Sequence, residues 1–214
     1  MAGGLPPGRV AIYDGDVRDA DALARAAADF LARFGAPDIV IANAGVSRGT
    51  LTEHAEDLPA FRAVFDTNVL GIVHTFQPFV ASMRAARRGT LVGIASVAGF
   101  RGLPGAGAYS ASKGALISYL ESLRAELYGS GVSVVTLCPG YIETPMTAIN
   151  PYAMPFILRP DVAARRIARV IKARKSFAVV PWQMGLVGSL LKLLPNWLYD
   201  WIFSKAKHKP RGLI

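Results

Sequence analysis

The sequence predicts an α/β domain built on a parallel sheet, and two patterns support this. Short segments that are rich in β-branched residues and apolar on both faces alternate with longer segments of helical spacing. Strands that are apolar on both faces are typical of a parallel sheet covered by helices on each side. The chain has 214 residues, of which 52% are hydrophobic, so it can bury one substantial core. We expect a three-layer domain with a short appendage.

Five strands and four helices alternate in the prediction. The strands are expected at 9–14, 38–45, 90–96, 132–140 and 176–181, and the helices at 19–35, 58–89, 110–129 and 161–175. The segment 182–204 contains three tryptophans and a helix-ending proline, and polar residues and glycines interrupt it too often for a single membrane span. We expect two short helices there, which cover a pocket or lie at a membrane interface. The domain is assigned to 1–181 and a C-terminal helical segment to 182–214.

The chain carries an excess of positive charge, with a formal net charge of +9 and a pI of about 10.0. The basic residues from Arg159 onward flank an apolar, tryptophan-rich stretch. This pattern favours contact with an anionic membrane surface through 182–214 over binding of nucleic acid, because no zinc-finger spacing or RNA-binding aromatic motif accompanies it. A solvated helix face followed by a basic tail explains the pattern equally well.

Two features bear on the location of the protein. The single cysteine, Cys138, cannot form an intramolecular disulfide, and the opening MAGGLPPGRV holds no apolar run that could form the core of a signal peptide. We therefore expect a reducing, cytoplasmic location, with any peripheral contact on the inner face of the membrane. No metal site is predicted.

The stretch AYSASKGAL carries the strongest chemical signal. Tyr109 and Lys113 stand four residues apart on a predicted helix and therefore share a face. A phenol has an ordinary pKa of about 10 and exchanges protons at neutral pH only when a nearby cation stabilises the phenolate. Ser96 ends a predicted strand, which is where ligands bind in α/β sheets. Its hydroxyl can bind a substrate carbonyl while Tyr109 gives or takes the proton.

In these blocks the sequence resembles the short-chain dehydrogenases/reductases. The resemblance spans residues 10–146 and is carried by the NAG of 43–45, Asn68 in DTNVLG, Ser96 in IASVAG, YSASK at 109–113 and PGYIETPM at 139–146. It implies a Rossmann-like, doubly wound sheet and hydride transfer between NAD or NADP and an alcohol or ketone. An apolar substrate is favoured by the Met, Phe, Tyr, Trp and Leu residues that follow Thr144 and fill 182–203.

The resemblance also implies a role for each matched residue. Tyr109 is the catalytic acid/base, Ser96 orients the substrate oxygen, and Asn68 supports a water next to Lys113. Lys113 lowers the pKa of Tyr109 and holds the nicotinamide ribose. The other cofactor contacts that the resemblance implies are Asp16 and Val17 at the adenine, Asn43, Ala44 and Gly45 on the adenosine side, and Pro139, Gly140, Ile142 and Thr144 in the loop at the nicotinamide. A homodimer or homotetramer through the helices 58–89 and 110–129 is implied as well.

One part of the family pattern has no counterpart in the sequence. The family's domain opens with a strand, a glycine-rich turn and a helix that hold the cofactor pyrophosphate. GGLPPG follows no predicted strand and lacks the required glycine spacing. RVAIYD instead matches the third strand of the pattern, so DIVIANAG is expected to be an exposed apolar edge. We therefore expect that Met1 is an internal methionine of a longer protein; the reading frame upstream of it tests this.

The sequence leaves two alternatives to an oxidoreductase. A non-catalytic chain, or a membrane-surface interaction protein, is favoured by the absent phosphate loop and opposed by the presence of Asn68, Ser96, Tyr109 and Lys113 together. Epimerases and dehydratases of the related extended group also use Tyr-x-x-x-Lys, but the NAG and PGYIETP loops and the short length disfavour them.

Overall fold

The computed structural model describes residues 9–148, 150, 152–206, 209 and 211. Within them the strands are β1 (Ile39–Ala42), β2 (Gly89–Ile94), β3 (Val132–Pro139) and β4 (Phe177–Val180). The helices are α1 (Ala20–Phe34), α2 (Leu58–Phe65), α3 (Gly71–Ala85), α4 (Gly107–Glu126), α5 (Pro145–Ala148), α6 (Pro160–Lys172), α7 (Trp182–Leu193) and α8 (Asn196–Phe203).

The four strands form one parallel sheet in the order β1-β2-β3-β4. Two of the register pairs are Ile41 with Val92 and Val92 with Val135. Since consecutive strands are parallel neighbours, each connection crosses from one end of the sheet to the other, and the carboxyl ends of all strands lie at one edge. The predicted parallel sheet is confirmed.

Helices cover both faces of the central strands. On one face, Leu91 and Val134 pack in a cluster with residues of α3 and α4, among them Phe76 and Leu120. On the other face, Val92 and Val135 pack against Ile171 of α6. This two-sided burial explains why β2 and β3 are apolar without alternation, and it confirms the three-layer α/β architecture.

The strand predicted at 9–14 is wrong. These residues form no strand in the structure, Ile12 is exposed, and the Tyr13 hydroxyl donates to Asp29 of α1 at 2.5 Å. An apolar run becomes a strand only when a neighbour pairs with its backbone, and the sheet described here ends at β1. Local composition alone could not supply that information.

Strand β1 lies at the edge of the described sheet, as predicted. Val40 and Ala42 face the core, whereas Ile39 and Ile41 on the other face are each 49% exposed. Isoleucines alternate with buried residues here, so the strand buries only one of its two apolar faces.

The predicted helices are confirmed with shifted ends. Asp19 is the N-cap of α1, where its carboxylate accepts the Ala22 amide at 2.9 Å, and Gly35 ends the helix with a φ of +74°. The single helix predicted at 58–89 is instead α2 and α3, joined by a π-helical turn at Asp66–Leu70. Two short helices, α7 and α8, follow β4 as expected. None of the helices in the part of the chain described above is long and apolar enough to cross a membrane.

Candidate active site

The loops that follow three neighbouring strands meet at the carboxyl edge of the sheet. The NAG segment follows β1, Ser96 follows β2, and Gly140 follows β3. Helix α4 carries Tyr109 and Lys113 beside them, because the glycine at position 99 lets this helix approach closely. A Cβ on Gly99 would lie only 2.6–2.8 Å from the backbone of Lys113 and Gly114.

Ser96 and Tyr109 line one cavity and interact with each other. Ser96 is buried, and its oxygen accepts the Ala98 amide at 3.1 Å, which orients the side chain at the start of a short 3-10 turn. Burial raises the pKa of Tyr109, and its hydrogen bond to Ser96 acts in the opposite direction. The phenol is therefore protonated at neutral pH, the form that donates a proton to a carbonyl oxygen.

Lys113 lies behind Tyr109 with its ammonium turned toward the sheet. The side chain is only 4% exposed; its Nζ donates to the Ile94 carbonyl at 2.8 Å and lies 5.8 Å from the centre of the Tyr109 ring. Burial lowers the pKa of Lys113 to about 8. The resemblance implies that Lys113 lowers the pKa of Tyr109; in this arrangement the pKa of Tyr109 is raised, because desolvation of the phenol is the largest influence.

Asn68 is fully buried at the centre of the π-helical turn. Its oxygen accepts the Val46 amide at 2.8 Å, and its Nδ2 donates to the Val46 carbonyl at 2.9 Å and to Ser112 at 3.0 Å. Asn68 thus ties the loop after β1 to helix α4. A wide turn inside a helix re-aims a side chain, which is why such turns recur at functional sites.

A second, open depression lies at the side of the NAG loop. Its lining includes Asp16, Val17 and Ala44, three of the residues predicted to border the adenosine half of a cofactor. The Arg18 guanidinium, with Nε 2.9 Å from a carboxylate oxygen of Asp16, holds the pKa of that carboxyl at about 2. Val17 in turn packs on α3, where a Cβ on Gly71 would meet it at 2.7 Å.

Gly45 lies close to the polar groups of Asn68 and Lys113. A Cβ placed on Gly45 would lie 3.3 Å from the Asn68 oxygen and 3.5 Å from Lys113 Nζ. A side chain at this position would crowd both polar groups. The glycine therefore lets the loop after β1 pack directly on these two buried side chains.

The cavity lined by Ser96 and Tyr109 has a volume of about 220 Å³. Gly140 also lines it, and α7 and α8 contribute side chains to its wall. Most of its remaining lining is apolar, including Leu103, Met146, Met184, Val187, Leu191 and Phe203. Such a lining suits an apolar substrate body next to a polar reaction centre.

The other predicted cofactor residues lie near the site but do not line this cavity. Asn43 is exposed, and Pro139 ends β3 beside Val180. Ile142 pairs with Leu158 in an isolated parallel bridge. Thr144 is exposed, and its amide donates to Thr147 at 3.0 Å.

Several residues at the site were not predicted. Ser47, Tyr152 and Lys209 line the cavity, and burial, with smaller contributions from Tyr141 and Tyr109, raises the pKa of Tyr152 to about 12. Lys209 belongs to a basic C-terminal run that is typical of a solvated tail, so its sequence context gave no signal. Ser47 lies two residues after the NAG motif, and that proximity was the only available indication.

Comparison with known proteins identifies the family of this chain. The family model described as "short chain dehydrogenase" matches residues 4–152. An uncharacterized oxidoreductase of Myxococcus xanthus is 40% identical over 187 residues, which are 86% of this chain and 73% of that protein. The chain spans 58–63% of the length of three other curated relatives.

Solved structures show the same fold. A short chain dehydrogenase from Burkholderia cenocepacia, in complex with NADP, superposes with a TM-score of 0.78 at 23% identity, covering 91% of this chain and 81% of that one. An alcohol dehydrogenase from Thermococcus sibiricus, complexed with 5-hydroxy-NADP, gives 0.65 at 25% identity, covering 77% and 71%. The family model matches more than half of this chain. The chain therefore belongs to the short-chain dehydrogenase family.

Proposed function

We propose that the protein is an oxidoreductase that interconverts an alcohol and a carbonyl compound with NAD or NADP. The observation that carries the proposal is the cavity that Ser96 and Tyr109 line together, with Lys113 and Asn68 buried nearby. Similarity to a solved alcohol dehydrogenase complexed with an NADP derivative supports the choice of a nicotinamide cofactor.

Tyr109 is proposed as the acid/base and Ser96 as the group that positions the substrate oxygen. Tyr109 gives its proton to the carbonyl oxygen during reduction and takes the hydroxyl proton back during oxidation. Ser96 hydrogen-bonds the same oxygen and fixes its distance from the phenol. When bound, the cofactor supplies or accepts the hydride.

Lys113 and Asn68 are proposed to support Tyr109 from the interior. A lysine with a pKa of about 8 is largely protonated at pH 7, so its charge favours the phenolate form that oxidation requires. Asn68 holds the loop after β1 against α4 through Val46 and Ser112, and thereby fixes Gly45 beside Lys113. The depression at Asp16, Val17 and Ala44 would hold the adenosine part of the cofactor, and Lys113 would hold the nicotinamide ribose.

The proposal is tested by following the transferred hydrogen. NADH or NADPH carrying deuterium at the transferable position is incubated with the protein and apolar ketones, and the alcohol product is analysed by mass spectrometry. Deuterium on the carbinol carbon supports the oxidoreductase. Absence of binding to both cofactors would favour the non-catalytic alternative for the chain.

We also propose that α7 and α8 lie on an anionic membrane surface. The two helices expose the chain's three tryptophans, each 65–71% exposed, together with Leu186, Leu190 and Leu193. The opposite face of α7 lines the cavity, so the exposed leucines of this helix face away from the domain.

The two helices are held on the domain by Arg101. This residue donates to the Leu194 carbonyl at 2.7 Å and lies 4.0 Å above the Tyr199 ring. Lys192 shares an open groove with Trp182 and Leu186, as expected for contact with acidic headgroups.

Removal of the exposed aromatic groups tests the membrane contact. We expect the double variant Trp197→Ser, Trp201→Ser to bind vesicles of phosphatidylcholine and phosphatidylglycerol at least about tenfold more weakly, because burying one such side chain stabilises by about 1.5–3 kcal/mol. Tyr128→Ser is the control, since Tyr128 is 93% exposed elsewhere on the surface. Flotation in a density gradient measures the bound fraction. Equal binding by the double variant and the native chain would refute the contact.

The dimer or tetramer expected through the helices around α2, α3 and α4 stays a prediction. Leu58, Phe61 and Leu70 are exposed on this surface and would be covered by a second copy. The division of the chain at residue 181 and the cytoplasmic location stay predictions as well.

A further inference from the structure

Lys209 is a buried cation in the proposed substrate cavity. Its side chain is 6% exposed, and it lines the same cavity as Ser96 and Tyr109. Lysine is seldom buried unless a partner compensates its charge. The Nζ donates to the Ser47 hydroxyl at 2.8 Å, which is a neutral partner.

The neighbouring Arg211 holds this segment in place. Its Nε donates to Asp57 Oδ2 at 2.9 Å, and its Nη2 donates to Asp57 Oδ1 at 3.1 Å and to Glu56 at 3.0 Å. Asp57 also accepts the Leu51 amide at 2.8 Å, and Arg211 forms a parallel bridge with Gly49. A two-pronged guanidinium-carboxylate pair of this kind fixes position as well as charge. The segment is thus bound to the loop that carries Ser47.

The acidic residues near Lys209 are paired with a different cation. The nearby acidic residues Asp57 and Glu56 are paired with Arg211, and no carboxylate among the residues placed by the structure pairs with Lys209. Burial lowers the pKa of Lys209, since the ammonium loses water without gaining a negative partner. An anion entering the cavity would supply that partner.

We propose that Lys209 and Ser47 form a subsite for an anionic group of the substrate, a carboxylate or a phosphate. This rests on the proposed function and specifies its substrate class: an amphiphile whose apolar body contacts the Met184, Val187 and Leu191 side of the cavity. The acidic group binds Lys209 and the Ser47 hydroxyl, and the reacting carbon lies near Tyr109. Lys209 acts in recognition and takes no part in proton transfer.

Binding of matched ten-carbon probes tests the subsite without any turnover. Decanoate, decyl phosphate and decanol are titrated into the native chain and into Lys209→Gln by calorimetry. We expect one of the acidic probes to bind the native chain more tightly than decanol does. We expect Lys209→Gln to weaken that probe by roughly tenfold to a hundredfold, the range of a charge-assisted hydrogen bond, while decanol binds unchanged. Lys205→Gln, which alters an exposed lysine of the same segment, should behave as the native chain does.

The titrations distinguish a carboxylate subsite, a phosphate subsite and the absence of an anion subsite. Preference for decanoate identifies a carboxylate subsite, and preference for decyl phosphate identifies a phosphate subsite. If Lys209→Gln binds all three probes as the native chain does, or binds all of them more tightly, the subsite is refuted and Lys209 only fills or closes the cavity. The titration measures binding, so it tests the subsite independently of hydride transfer. If binding depends on charge but no hydride is transferred, the oxidoreductase is refuted and the anion subsite is retained.

Discussion

Tyr109→Phe is expected to reduce hydride transfer by about 10²–10⁴-fold, the usual contribution of a general acid/base. The variant removes one oxygen from a side chain that lines the cavity beside Ser96 and leaves the ring in place. Cofactor affinity should change little, because the ring keeps its packing and Lys113 keeps its bond to the Ile94 carbonyl. Steady-state kinetics and a fluorescence titration with NADH and NADPH measure the two quantities.

The matched control is Tyr119→Phe on the same helix. Tyr119 is half-buried and packs against the core cluster away from the cavity, so its phenol is not proposed to touch substrate. We expect near-native turnover from this variant. If Tyr109→Phe retained native turnover, Tyr109 would not be the acid/base, and another phenol of the cavity such as Tyr141 or Tyr152 would have to be considered.

Gly99→Ala is expected to impair both stability and activity. Its Cβ would lie 2.6 Å from the Lys113 carbonyl carbon and 2.8 Å from the Gly114 nitrogen, and backbone atoms of a long helix cannot rotate away. Overpacking of this kind destabilises proteins by about 1–3 kcal/mol. Helix α4 would have to move away from the turn after Ser96, and misplacement by about 1 Å can lower a rate by about 10²-fold. Urea unfolding and turnover measure the two effects.

Gly102→Ala is the control for the glycine substitution. Gly102 follows the same turn, and a Cβ placed on it meets nothing within 4 Å. We expect this variant to unfold and react as the native chain does. Native stability and turnover in Gly99→Ala would show that the close approach of α4 to the turn is not required.

Two of the correctly predicted strands, β2 and β3, are buried on both faces. The segments that became β2 and β3 are apolar without alternation because α3 and α4 cover one face of the sheet and α6 covers the other. RVAIYD has a similar composition but forms no strand, because pairing depends on which backbone lies alongside and not on the segment itself.

The site was predictable where spacing along a helix determines it. The four-residue spacing of Tyr109 and Lys113 placed both on one side of α4, and the strand-end position of Ser96 brought it to the same cavity. The direction of the Lys113 ammonium was not predictable, since it depends on the position of the Ile94 carbonyl at the end of β2. The π-helical turn at Asn68 likewise has no signal in the sequence DTNVL.

The contribution of Lys209 could not be predicted for a different reason. The run KAKHKPR resembles a solvated tail, and the contacts of Arg211 with Asp57 and Glu56, more than 150 residues earlier in the chain, bring Lys209 to the cavity. Long-range ion pairs of this kind leave no local pattern.

The central claim is that Ser96 and Tyr109 form the reaction centre of an alcohol/carbonyl oxidoreductase, and deuteride transfer tests it most directly. With NADH or NADPH deuterated in turn on each face of the nicotinamide ring, we predict that one label of one cofactor appears on the carbinol carbon of the product and that Tyr109→Phe slows this transfer by about 10²–10⁴-fold. Cofactor binding without any label in the product, or equal labelling by Tyr109→Phe, would contradict the claim.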